Sequence, residues 1–363
     1  MGRLPEIRQG DRSARLRILV MATCRWWNAT AEGALLQARA LAGAGAEVLL
    51  TGQPGSPILD RARDAGLDTR APALSGASFV SGLAMLGRLL RQFQPHFICA
   101  HRSEDHLAAA VVRRRIPLAR IRSDIRRPVR SCASRLLDSR TTVEVYSSPF
   151  MLRAGYGKGR RGPVEVIPQA VDTDRFHPTD LPGRAGTLVI AARFSEVKGH
   201  GTLIRALRHA PGARLVVAGA GAQLSEGDLR AVAEAEGVAD RVEFTGYLAD
   251  VRDAYSRASI GVVPSLASEA VSRAALEMMS SGLPVLAAST NGLVDVVLDG
   301  RTGILHPPGD SAALGRQIAY LCADPGLVDL LGRNARRTCE ELYSLDSVGA
   351  RWTALLRDHI REA

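Results

Sequence analysis

An α/β protein of two doubly wound domains is the fold this sequence predicts. Three observations point there: 363 residues, 46% hydrophobic content beside 23% charge, and short β-branched runs alternating with longer Ala-, Leu- and Arg-rich stretches. The length exceeds what one core comfortably fills and suits two domains. The composition is that of a folded globular chain. The alternation is the pattern of strand–helix–strand units on a parallel sheet.

In order along the first half, Ile18–Met21 reads as a strand followed by a helix over Ala31–Ala42, and Glu47–Thr51 as a strand followed by a helix near Ile58–Ala65. Phe97–Ala100, a helix about His106–Arg114, a strand near Ala119–Ile121 and Thr142–Tyr146 continue the rhythm. The stretch Asp172–Gly186 is rich in turn formers, with His177-Pro178 and Pro182-Gly183, and reads as the linker. We place the first domain at 15–178 and the second at 179–345. In the second, Thr187–Ala191, Arg214–Ala218, Val242–Phe244 and Ile260–Val263 read as strands, with helices near Thr202–His209, Glu226–Glu236 and Ala249–Ser256. The tail from Ser311 is helical in pattern, broken at Asp324-Pro325 and Tyr343-Ser344, so that a final helix, 346–363, is free to cross back onto the first domain.

No stretch reaches the roughly 20 uninterrupted apolar residues of a spanning helix. Met1–Arg17 is basic and polar, and Ile18–Ala22 is too short for the apolar core of a signal peptide, so a cytoplasmic location is expected, with peripheral contact to the inner face of a membrane open. Five cysteines, scattered and without C-x-x-C spacing, argue against a disulfide framework or a zinc site. The net charge of +10 concentrates at Arg113–Arg115, at Arg120, Arg122, Arg126, Arg127 and Arg130, and at Lys158, Arg160 and Arg161. A habit of composition and attraction to anionic lipid both explain it. Only 4% aromatic residues and no interleaving of basic and aromatic side chains argue against nucleic acid.

The most informative segment runs from Ser265 through Glu269 and Glu277 to Gly282 and Pro284, two carboxylates bracketing seven residues after an apolar strand. A loop and helix start at the carboxyl end of a parallel strand lie at the crevice where open sheets bind ligands. The helix adds unpaired N–H groups and a positive dipole, which suit a diphosphate. Eight residues are two turns plus about 80°, so both carboxylates cannot share one helical face, and Glu269 is expected before the helix. Each then suits a different hydroxyl pair of one extended ligand. An isolated pair of this kind is more often two ordinary surface acids. A second loop after a strand, Ala191 to Gly201, carries Arg193 and Lys198 to the same sheet edge, with Gly199 allowing close backbone approach, and two cations there suit a diphosphate.

With Val166–Phe176, Val217–Gly221, Val242–Tyr247 and Asp299–Leu305, these segments form six ordered blocks over about 145 residues. Together they resemble the retaining glycosyltransferases of glycosyltransferase family 4, whose GT-B fold is two facing Rossmann-like domains. The resemblance implies that Arg193 and Lys198 bind the diphosphate of a nucleotide-sugar donor, Glu277 the ribose hydroxyls, and Glu269 the transferred sugar. Gly219, Tyr247, Ser272 and Arg273 fall in the same donor blocks. The implied reaction moves a sugar to a hydroxyl acceptor with retention. A lipid-linked acceptor in lipopolysaccharide or other cell-envelope glycan synthesis fits the basic first half. A catalytically silent sugar- or lipid-binding relative and a sugar-nucleotide epimerase are the rivals, and intact Arg193, Lys198, Glu269 and Glu277 disfavour silence.

Two stretches depart from the family pattern. Ala270-Val271-Ser272-Arg273 stands where a glycine and an aromatic residue usually follow the first glutamate. Thr23 to Gly33 replaces the usual glycine-rich loop of the first domain and retains only Gly33. His101, at the carboxyl end of an apolar strand, is the catalytic histidine candidate from the first domain, with a purely structural role an equal reading. His106 reads as structural, and Asp124 as a helix cap or an arginine partner. Trp26 and Trp27 suit a sugar, lipid or core packing. No acidic D-x-D pair stands in a metal position, and no metal or other cofactor is expected, because cations and a helix dipole serve the leaving diphosphate.

Overall fold

The computed structural model describes residues 15–361 apart from 75, 126, 128–130, 161, 180–184 and 268–269. Seven parallel strands form the first sheet: β1 Arg17–Met21, β2 Glu47–Thr51, β3 Asp68–Arg70, β4 Phe97–Ala100, β5 Leu118–Arg122, β6 Val143–Tyr146 and β7 Val164–Val166, in the spatial order β3-β2-β1-β4-β5-β6-β7. Six form the second: β8 Thr187–Ala191, β9 Arg214–Ala218, β10 Val242–Gly246, β11 Ile260–Val263, β12 Val285–Ala288 and β13 Gly303–His306, in the order β10-β9-β8-β11-β12-β13. Helices cover both faces of each sheet, so the central strands are buried throughout and read as apolar runs without alternation.

In each sheet the order reverses once, between β1 and β4 and between β8 and β11. A ligand crevice opens at such a switch point, beyond the carboxyl ends of the strands. The loops there are Ala22–Asn28 after β1, His101 after β4, Ala192–Gly199 after β8 and the segment from Pro264 after β11. These are the loops that carry the motifs of chemical interest.

The last helix, Leu345–Arg361, crosses back. Its Val348, Trp352 and Leu356 are buried in one cluster with Ile18, Val20 and Leu41 of the first domain. The segment after β7 is tied to the second domain instead. One Arg336 Nη1 donates to the carbonyls of Thr173 (2.9 Å), Phe176 (2.7 Å) and Ser280 (2.8 Å), and Val171 N donates to Tyr343 O at 2.8 Å.

Some expectations need correction. A fifteen-residue helix, Phe79–Phe93, occupies a stretch where none was foreseen. Gly82 and Gly87 lower its intrinsic propensity, but Leu86, Leu89 and Leu90 bury one face. The helix expected at Ala249–Ser256 shortens to Arg252–Tyr255, because the Asp250 carboxylate accepts from Arg252 N (3.1 Å) and makes a turn of the preceding residues. The edge strands β3 and β7 were missed because three residues, Asp-Thr-Arg and Val-Glu-Val, hold no apolar run, and β12 and β13 were missed because runs as short as Val-Leu-Ala-Ala and Gly-Ile-Leu-His are not distinctive of a strand by themselves.

The basic first half is also less of a surface than its sequence implies. Arg120 is buried, with Nη1 donating to Ala100 O (3.3 Å). Arg160 lies between Asp138 and Glu144, both at 3.3 Å, and Arg122 pairs with Glu144. Arg113 turns inward to Ile116 O (2.7 Å), leaving Arg114 and Arg115 exposed. Arg126, Arg130 and Arg161 lie outside the described residues.

Candidate functional site

A cleft of ≈ 530 Å³ lies between the domains. Its first-domain wall is the helix Ala29–Gly43 with Trp27 and Arg61, and its second-domain wall includes Arg273 and Glu277. The helix Arg273–Ser280 starts beside the cleft because the Ser272 hydroxyl accepts from Ala275 N (3.4 Å) and caps it. Ser272 is buried in that role.

Arg273 and Glu277 stand one turn apart, and the guanidinium donates to Glu277 Oε1 at 2.7 Å. Its other nitrogen reaches across the cleft to Glu32 on the first domain. Burial works against the charge of Arg273, but Glu277 and Glu32 outweigh it and raise its pKa. Burial likewise pushes the Glu32 carboxyl up, against the pull of Arg273. Tyr255 donates from its hydroxyl to Glu277 Oε2 (2.9 Å), and burial beside that carboxylate raises the phenol well above its ordinary value. Each Glu277 oxygen thus has one partner. A carboxylate offers about four lone-pair directions, so Glu277 retains capacity for two hydroxyls, as a ribose presents.

At the neighbouring sheet edge, Arg193 is exposed and Lys198 half-buried on the loop after β8. Gly199 holds that loop against the end of β11: its φ is +73°, and a Cβ there would lie 2.1 Å from Pro264 O. Leu266 N donates to Val197 O at 2.8 Å, so the loops carrying Lys198 and the start of the Glu269 segment are tied to each other. Gly219, at the end of β9, donates from its N–H to Gly246 O (2.9 Å) and lies against Ala192. Tyr247 follows β10 and is 78% exposed, away from these contacts. Glu269 lies outside the described residues, while the helix start at Arg273 agrees with a position ahead of that helix.

His101 is in the first domain, buried, with Nε2 2.6 Å from Gln37 Oε1. It borders a pocket with room for about one water, shared with Gly33, Ser123 and Gln169. Burial, aided by Arg120, holds its pKa down to about 3. The ring is neutral near pH 7, and Nδ1 has no hydrogen-bond partner among the described residues. His106 is also buried, 2.8 Å from Thr141 Oγ1, which is the structural role expected of it. Asp124 acts electrostatically on Arg120. Trp26 is 68% exposed, whereas Trp27 lies under Arg61, 3.9 Å from ring centroid to guanidinium carbon. The loop that replaces the glycine-rich one is anchored by Asp105, which accepts from Thr23 N (3.1 Å) and Thr23 Oγ1.

Sequence reasoning missed Glu32, Tyr255 and Arg61. Each is distant along the chain from the motif it meets, and none sits in a recognisable pattern. The single available signal was position: Glu32 lies in the first turn of a helix that follows β1 at a switch point.

Residues 185–324, which hold Arg193, Lys198, Glu269 and Glu277, match the family described as Glycosyl transferases group 1. A D-inositol 3-phosphate glycosyltransferase of Streptomyces avermitilis is 34% identical over 232 residues, 56% of this chain and 49% of that protein. The lipopolysaccharide core biosynthesis mannosyltransferase LpcC of Rhizobium leguminosarum bv. viciae is 30% identical over 218 residues, 54% of this chain and 61% of that protein. The chain thus spans about half to three-fifths of the length of these relatives. Among solved structures, Anabaena HepE in complex with UDP and glucose superposes with a TM-score of 0.79 at 18% identity, over 95% of this chain and 100% of that one. At that identity the likeness concerns the fold, two facing Rossmann-like domains of the GT-B kind. Residues 185–324 thus resemble a group 1 glycosyl transferase domain, and the chain as a whole has a fold of the GT-B kind.

Proposed function

We propose that the protein transfers a sugar from a nucleoside-diphosphate sugar to a hydroxyl acceptor, with retention at the anomeric carbon. The observation that carries this reading is Glu277, which lines an interdomain cleft with Arg273, beside a loop after β8 that holds Arg193 and Lys198 and is tied through Leu266 to the segment leading into the Arg273–Ser280 helix. Glu277 receives the ribose hydroxyls, and Glu269 those of the transferred sugar. Arg193 and Lys198 oppose the charge that grows on the leaving diphosphate, so the reaction has no need of a metal or other cofactor at that point. His101 is neutral, and its buried Nδ1 suits a bound water in the small pocket it borders rather than a cation.

The acceptor is proposed to be a lipid-linked or cell-envelope glycan, in line with the lipopolysaccharide core activity that LpcC is named for. An exposed apolar pair, Leu107 and Val111, stands one turn apart on the helix Ser103–Val112, which ends beside Arg114 and Arg115. That combination fits the surface of an anionic membrane on the cytoplasmic side. No helix among the described residues is long and apolar enough to cross a membrane.

The test is a panel of UDP-, GDP- and ADP-sugars screened by thermal shift, followed by product mass with an acceptor extract. A transferred sugar supports the reading, an isomerised donor makes the protein an epimerase, and binding without turnover makes it a silent relative. Neutralising Arg193 or Lys198 should lower turnover roughly 100-fold or more, with the circular dichroism unchanged. Near wild-type rates in both single variants would remove the diphosphate assignment.

A further inference from the structure

The geometry points to Asp295 as a positioning residue through which the first domain sets the loop that follows β11. Asp295 belongs to the second domain, on the short helix Leu293–Val296, yet its carboxylate is held by the first. Oδ2 accepts from Ser148 Oγ (2.6 Å) and from Phe150 N (2.6 Å), and Oδ1 pairs with Arg153. The Arg153 side chain is 56% exposed, so that ion pair contributes little. The hydroxyl and amide bonds are partly buried and charge-assisted, and they define where Asp295 sits.

From Asp295 the constraint reaches the donor loop in one step. Gly292 packs so closely on Ala270 that a Cβ would lie 1.9 Å from Ala270 O, and the same Cβ would be 3.1 Å from Ser148 Oγ. Ala270 is itself buried in a small cluster with Tyr146 and Met151 of the first domain. Three backbones therefore meet at one point: the end of β6, the loop after β12 and the loop after β11. Ala270 directly follows Glu269, and here an alanine stands in place of the family's glycine. A larger residue at Gly292 or a lost anchor at Asp295 moves Ala270, because packed backbone has no slack to absorb the change.

The catalytic consequence rests on the sugar-contact role proposed for Glu269; the mechanical coupling does not. Asp295 touches neither donor nor acceptor in this scheme. It acts through Ala270, so its removal separates binding of the nucleotide from use of the sugar. Asp295→Ala should lower kcat about tenfold for the donor that the panel identifies, while affinity for bare UDP or GDP stays within about twofold, since Arg193, Lys198 and Glu277 are untouched.

Hydrogen exchange followed by mass spectrometry tests the coupling without any donor. Ser148→Ala and Asp295→Ala, one in each domain, should each speed exchange at residues 270–273 by about tenfold. The double variant should be no faster than the faster single, and Asp295→Asn, which keeps one acceptor oxygen, should fall between. Ser148→Ala removes one buried hydroxyl, which also caps the short helix Pro149–Arg153, and leaves the Asp295 carboxylate its bond from Phe150 N, so it is the milder variant and carries the test if Asp295→Ala does not express. Exchange at 270–273 within twofold of wild type in Ser148→Ala overturns the proposal. If that happens while donors still bind and turn over, this inference falls alone. If exchange behaves as stated and no donor is used, the transferase reading falls instead.

Discussion

Glu277 is engaged before any ligand arrives, by Arg273 on one oxygen and Tyr255 on the other. Both partners hold the carboxylate at the cleft and leave lone pairs for hydroxyls, and in the proposed role a ribose contact, remote from the reacting carbon, is the same in ground and transition states. Glu277→Ala should therefore weaken nucleotide binding about tenfold or more with a smaller effect on kcat. Calorimetry that finds unchanged nucleotide affinity would end the ribose role. The buried histidines make a second residue-scale prediction. Burial lowers His101 and His106 to about 3 and His200 to about 4, from an ordinary 6.5. As pH falls through 6.5 the unfolded chain takes up protons that the native rings refuse, so stability is full above that pH and declines from about 6.5 down to about 4 for His200 and about 3 for His101 and His106. The loss approaches roughly 2.5–3 kcal/mol per histidine by pH 4.5. Urea midpoints at pH 7.5 and 4.5 should diverge, and His106→Gln should shallow the decline. Parallel slopes for the two proteins would refute this origin.

At the scale of elements, the seating of the crossing helix Leu345–Arg361 depends on a single small residue. A Cβ on Gly349 would lie 2.3 Å from Ala40 O on the helix Ala29–Gly43. Read alone, a glycine inside a helix looks like a weak point that alanine would repair by about 1 kcal/mol. Here the contact reverses the sign. Gly349→Val should force the helices apart and destabilise the protein by about 1–3 kcal/mol, read as a lower melting temperature. An unchanged or higher melting temperature would show that the two helices can separate without loss. The missed helix Phe79–Phe93 teaches the converse lesson: two glycines masked a buried apolar face that tertiary packing rewards.

For the whole molecule, the question is what the net charge of +10 serves. With Arg120 and Arg160 buried and Arg122 paired, much of the basic first half is internal wiring. What remains outside includes Arg114 and Arg115 next to Leu107 and Val111. Should this face meet anionic lipid, each arginine contributes on the order of 1 kcal/mol, weakened by salt. Flotation should recover the protein with anionic vesicles and not with neutral ones. Charge reversal at Arg114 and Arg115 should release it without changing donor binding, since the residues proposed to hold the donor lie in the other domain. Equal recovery with both vesicle types, or with neither, would point to a soluble acceptor.

The sequence by itself determined the two parallel sheets, because strands buried on both faces must be apolar throughout and so announce themselves as short runs such as Phe97–Ala100 and Ile260–Val263. It also determined which loops matter, since Arg193, Lys198 and the segment ending at Glu277 follow strands that became the switch-point strands β8 and β11. Only the tertiary structure decided what those residues face. Glu32 meets Arg273 across 241 positions and Ser148 meets Asp295 across 147, and no local pattern encodes a contact between residues so far apart. Whether an arginine is surface charge or interior partner is decided the same way. Arg114 and Arg120 look alike in the chain, and differ because β5 carries one into the core while the turn ahead of it leaves the other in water.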